Sequence, residues 1–140
     1  MNSLDRFIDA QQPKYDIALA EIKNGKKESH WMWYVFPQIK GLGTSETAKF
    51  YALEDIDETI AFYSHPVLGK RLLEISAALL QLASNDANKI MGSPDDIKLR
   101  SCMTLFNSLP NTNPVFKLVL DKFYNGKEDD ATLQIVNQSL

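Results

Sequence analysis

The chain contains a single cysteine, Cys102, and only two histidines, His30 and His65. One thiol excludes an intrachain disulfide and a cysteine-rich metal site, and two histidines so far apart carry no zinc spacing. Basic excess is missing as well: 15 Lys and Arg against 18 Asp and Glu give a net charge of −3. That excludes the electrostatic footprint of a duplex nucleic-acid binder. Long apolar runs are absent, where a membrane span needs about 20 residues. The opening MNSLDRFIDAQQ carries Asp5, Arg6 and Asp9 where a signal peptide needs an apolar core. The expected setting is therefore cytoplasmic, with a reduced thiol and no membrane partner. No repeat, linker or cofactor motif interrupts the chain, and the six glycines and six prolines are scattered as punctuation.

What is present is enough for a core. Apolar residues make up 44% of 140 positions, too many for a disordered chain. Size scaling puts the folded surface at about 7,300 Å² for one domain spanning 1–140. Helical spacing runs from Leu4 to Lys23, with a break at Pro13 and a stop at Asn24-Gly25. The stretch HWMWYVFPQ, from His30 to Gln38, is too short and too apolar for periodicity to separate helix from strand. Gly41-Leu42-Gly43 is a tight turn, and Ser45 caps a helix through Tyr51. Asp57 is placed to cap the next helix, which His65-Pro66 ends. Leu68, Leu72, Ile75, Leu79 and Leu82 then alternate steps of four and three, a stripe that predicts the central helix of the core. Further helices follow over 86–91, from Ser93-Pro94 to about Asn107, from Asn113-Pro114 to Asn125-Gly126, and from Ala131 to Gln138 behind an Asp130 cap. The fold class is mainly α: one helical domain of six to eight short helices with at most one short strand.

Three clusters could carry chemistry. His30 beside Trp31 and Trp33 offers an imidazole acid, base or donor next to two stacking surfaces; the competing reading puts the indoles in the core. Gln38 leads into Gly41, Gly43 and Ser45, a turn whose backbone N–H groups could hold a phosphate. The lysine of a P-loop is missing there. Lys98, Ser101 and Thr104 fall opposite the apolar stripe of their own helix, so they form either a solvated face or one wall of a cleft. Cys102 lies on that stripe and reads as a buried, inert thiol.

The segments HWMWYVFPQ, GLGTS, FYSHPVLGKRL, SPDDIKLRSCMTLF and GKEDDATL together resemble the domain-of-unknown-function 1810 family, over nearly the whole chain from Phe7 to Leu133. The resemblance implies a small, bacterial, cytosolic, mainly helical protein with no settled biochemical role. Members sometimes carry the label calpastatin. A calpastatin is disordered and repeat-built, and this chain has no repeats and a continuous leucine stripe. GTSETAKFY, KLRSCMTLF and VFKLVLDKFYNGKEDDATL are more loosely similar to the order of motifs in NADAR proteins, helical N-glycosidases. That likeness implies a glutamate at a helix start, where Glu46 falls.

These readings converge on a pocket for a small anionic, nucleotide-like or phosphate-bearing metabolite. Trp31 or Trp33 would stack, the Gly41-to-Ser45 turn and Lys98 would hold phosphate, and His30 would donate or transfer a proton. The alternatives are an N-glycosidase using His30 or Glu46, and a protein-interaction module without chemistry. The sequence leaves the oligomeric state open.

Overall fold

A computed structural model describes residues 3–138. Its described residues form ten helices: α1 (Asp5–Gln11), α2 (Tyr15–Lys23), α3 (Met32–Val35), α4 (Glu46–Phe50), α5 (Ile56–Ser64), α6 (Leu68–Leu80), α7 (Ala87–Met91), α8 (Asp95–Asn107), α9 (Val115–Tyr124) and α10 (Asp130–Gln138). The accessible surface is 7454 Å², close to the value expected from size. Among the described residues there is no strand, and no helix is long and apolar enough to cross a membrane. The count exceeds the expected six to eight: the short helices expected from Ser45 and over 86–91 form as α4 and α7, and the stretch left open between helix and strand adds α3, all three of four or five residues. Each is too short to show a hydrophobic period.

The ambiguous stretch from His30 to Gln38 resolves as one helical turn followed by irregular chain. Met32–Val35 winds into α3. The chain then extends past Pro37, so that Ile39 makes an isolated parallel bridge with Leu53. Leu53 N–H donates to the Gln38 carbonyl at 2.9 Å, and Lys40 N–H to the Leu53 carbonyl at 2.8 Å. This clamp fixes the loop that leads into α4.

Two helices share the centre of the molecule: α6 packs against α9, α5 and α2, and α8 against α9, α7 and α10. The leucine stripe of α6 is buried as expected, with Leu68, Leu72, Ile75 and Leu79 at most 1% exposed. After its first turns, however, α8 is enclosed around most of its circumference, by α9, α7 and α10. Leu99 and the run Ser101–Phe106 are all buried. Two polar residues mask this in the sequence. Ser101 Oγ bonds back to the Ile97 carbonyl at 3.3 Å, and Thr104 Oγ1 to the Arg100 carbonyl at 2.8 Å. Hydroxyls satisfied by their own helix can be enclosed at little cost.

Capping settles the element starts. Ser45 accepts from Ala48 N–H at 3.1 Å, as expected of a cap. Asp86 caps α7 by accepting from Lys89 N–H at 3.1 Å. Two caps fall one or two residues from the expected position. Asp55, not Asp57, accepts from Glu58 N–H at 2.8 Å. Asp129, not Asp130, accepts from Thr132 N–H at 3.0 Å. Ser93 does not cap α8, which opens at Asp95 behind Pro94 without a side-chain cap. His65 ends α5, and its Nδ1 accepts from Val67 N–H (3.0 Å) and Leu68 N–H (3.2 Å) to begin α6.

Candidate functional site

Two chain segments form a groove of about 300 Å³. One is the loop Lys27–His30 running into α3; the other is Ser93–Asp95 and the first turn of α8. Lys27, His30, Trp33, Ser93, Asp95 and Lys98 are among its lining residues. Met32, Trp33 and Lys98 also line a second hollow of about 10 Å³, bounded beyond them by Gln38, Gly43, Ala48 and Tyr51. That space holds about one water molecule. The Trp33–Lys98 pair is thus the partition between a groove and a small, mostly apolar recess.

The partition has a specific geometry. In α3, Trp31, Met32, Tyr34, Val35 and Phe36 all turn inward, and only Trp33 remains partly open. Lys98 sits on α8 one turn after Asp95, and its Nζ stands 5.8 Å from the centre of the Trp33 ring. Among the described residues Lys98 makes no ion pair. A half-buried ammonium whose neighbour is an aromatic face gains only about 0.5–1 kcal/mol from it. It retains its capacity to bind an anion.

Lys27 is a contrasting cation. Its side chain is 6% exposed, and its Nζ pairs with Asp95 Oδ2 at 2.9 Å. It also donates to the Ser29 carbonyl and lies 4.9 Å from the Trp31 ring centre. Lys27 and Asp95 neutralise each other at the edge of the groove. Behind them, Glu21 on α2 accepts from Glu28 N–H, Ser29 N–H, Ser29 Oγ and Trp31 Nε1. Partial burial would raise this carboxyl, but the four donors overcome it and hold the group down to about 2.

The remaining expected site residues divide. His30, Trp33 and Lys98 share the groove, while Gln38 and Gly43 line the adjoining recess. Trp31 does not: it is fully enclosed and its indole N–H is taken by Glu21 at 2.9 Å. Gly41 is in neither space; its φ of +110° serves the turn, and it packs toward Ile135. Gly43 is glycine for packing, because a Cβ would stand 2.5 Å from that of Ala48. Ser45 is engaged as the cap of α4, and a five-residue helix gives no anion site. Glu46 lines a separate surface depression with Thr47, Lys49, Phe50 and Tyr51, away from Lys98. Ser101 and Thr104 are buried against the start of α10, where Ser101 Oγ donates to Asp129 Oδ2 at 3.2 Å and Thr104 Oγ1 accepts from Asp129 N–H at 2.9 Å. They face neither a cleft nor solvent.

Sequence reasoning missed Lys27, Asp95 and Glu21. An acid in the first turn of a helix and a lysine in a polar loop carry no sign of each other in the sequence. Their pairing joins segments far apart in the chain, and no local pattern carries it.

The fold and groove define a small all-α protein with a polar, indole-walled groove between α3 and the start of α8. The chain belongs to the family described as "Protein of unknown function (DUF1810)", whose model matches residues 1–136. A solved relative is the conserved hypothetical protein Rv1873 from Mycobacterium tuberculosis, a crystal structure at 1.38 Å. It is 40% identical, the match covers 96% of each chain, and the TM-score is 0.93. No curated protein matches the chain. The comparisons support the first family resemblance and do not show the looser one to NADAR proteins.

Proposed function

We propose that the groove between α3 and α8 binds a small metabolite combining an anionic group with a planar ring, such as a nucleotide. The observation that carries this reading is Lys98: half-buried, without an ion pair among the described residues, and set over the one indole of α3 that stays open. The ammonium supplies the charge for a phosphate or carboxylate, Trp33 supplies a stacking face worth about 1–3 kcal/mol per base, and His30 is a second donor across the groove. A volume near 300 Å³ is at the lower end for ligand sites, which favours a mononucleotide-sized guest. Cys102, buried and unpaired, fits a reducing cytoplasm.

An enzymatic reading of the N-glycosidase kind would have to use His30 with Glu28 or Asp95, because Glu46 lines a different depression. The Lys27 pair occupies Asp95, which favours binding over proton transfer. The exposed apolar residues Ile17, Phe50, Ile60, Val67, Ile97 and Leu118 come from different elements, which gives a protein-docking reading less support.

The test is a thermal-shift series with adenosine monophosphate, ADP-ribose and NAD. A ligand at 100 times its dissociation constant adds about 2.7 kcal/mol to stability. At least one should raise the melting temperature of the wild type and fail to raise that of Lys98→Met. No shift with any of the three at millimolar concentration abandons the reading.

A further inference from the structure

The wall of the groove that carries His30 is held from behind by a carboxylate that does not itself line the groove. Glu21 Oε1 accepts from the backbone N–H groups of Glu28 at 2.7 Å and Ser29 at 2.9 Å, and from the Trp31 indole N–H at 2.9 Å. Oε2 accepts from Ser29 Oγ. Two successive backbone N–H groups, a hydroxyl and an indole N–H, all from residues 28–31, make up the donor set of an anion receptor. His30 lies within this stretch, and Glu28, Ser29 and His30 all line the groove. Lys27 fastens the near end of the stretch to α8 through Asp95.

We infer that Glu21 is the positioning residue of the groove: its carboxylate is the built-in guest of a receptor formed by residues 28–31, and by filling it fixes the wall that presents His30. The inference rests on the reading of the groove as a ligand site, and it extends that reading to a residue the ligand does not touch. The neutral isostere should behave differently from a truncation. In Glu21→Gln the side-chain carbonyl can still accept from the three N–H groups while the amide donates to Ser29 Oγ. In Glu21→Ala four donors lose their acceptor together. In Glu21→Asp the carboxylate is one methylene short of the receptor.

The experiment measures amide hydrogen exchange at Glu28 and Ser29 in the full-length wild type and the three variants, alongside titration with adenosine monophosphate. In Glu21→Ala and Glu21→Asp both amides should exchange at least about tenfold faster, and nucleotide affinity should fall about tenfold, while amides in α6 and α8 stay protected. Glu21→Gln should retain most of both properties. Sodium formate should restore both in Glu21→Ala and change neither in the wild type, a rescue that requires the receptor to survive without its guest. Unchanged exchange at the two amides in the variants overturns the inference, as does loosened exchange with unaltered nucleotide affinity. Should Glu21→Ala fail to fold, the contrast between Glu21→Asp and Glu21→Gln decides. If the wild type binds no nucleotide, the ligand reading fails separately. Loosening at the two amides with formate rescue then still supports Glu21 as the holder of the wall, and its absence overturns that role.

Discussion

Asp129 and Thr104 are tied through the backbone of one and the side chain of the other. The Asp129 N–H donates to Thr104 Oγ1 at 2.9 Å, within the buried run of α8. The Asp129 carboxylate in turn accepts from Ser101 Oγ, Thr132 N–H and Thr132 Oγ1. Partial burial would raise this carboxyl, but the Thr132 and Ser101 bonds outweigh it and hold the group below its ordinary range. The residues that look from the sequence like a functional face of α8 are the socket for the start of α10.

Asp129→Ala should therefore destabilise the protein by about 2–3 kcal/mol, because it strands both donors of the buried Thr132 and leaves the Ser101 hydroxyl only the Ile97 carbonyl. Urea unfolding measures this. It should leave nucleotide binding in the remote groove unchanged once the protein is folded.

Glu21 gives a pH signature. A carboxyl held at about 2 in the folded state, against an ordinary 4.5, stabilises the fold fully above pH 4.5, and the contribution fades as pH falls towards 2. The stability difference between wild type and Glu21→Gln should be greatest above pH 4.5 and should shrink steadily below it. Urea midpoints at pH 6, 4 and 3 read this directly, and a difference that widens towards acid would contradict the assignment.

Gly69 is fixed by close approach at the elbow between α5 and α6. A Cβ there would stand 2.0 Å from the Tyr63 carbonyl oxygen, a backbone atom that cannot swing aside. Gly69→Ala should cost about 3 kcal/mol or more and lower the melting temperature by several degrees.

Cys102 is fully buried on α8, and burial pushes its thiol pKa well above the ordinary value. It should be inert to a thiol reagent such as Ellman's in buffer and react at once in denaturing urea. Slow reaction in buffer should follow global unfolding rather than a local opening.

The helical fold was legible because Leu68, Leu72, Ile75 and Leu79 repeat with one period, and because Ser45 and Asn125-Gly126 are strong local punctuation. The enclosure of α8 was not: Ser101 and Thr104 are polar letters, and only their bonds to Ile97, Arg100 and Asp129 make them core residues. The groove was half legible. His30, Trp33 and Lys98 do come together, from segments that each carry an unusual polar or aromatic residue. Trp31 was indistinguishable from Trp33 in sequence, since which of two alternating indoles faces inward depends on where α3 begins. Glu21 was invisible, because an acid on the polar face of a helix reads as solvated until the loop that curls over it is seen.

The most direct measurement is a two-dimensional proton–nitrogen NMR titration of the wild type with adenosine monophosphate, following the two indole N–H signals. Binding in the groove should shift the Trp33 indole together with backbone amides of His30 and Lys98, move the buried Trp31 indole far less, and weaken at least about tenfold in Lys98→Met. Perturbations confined to Glu46–Tyr51, or none at saturating nucleotide, would contradict a binding groove at Trp33 and Lys98.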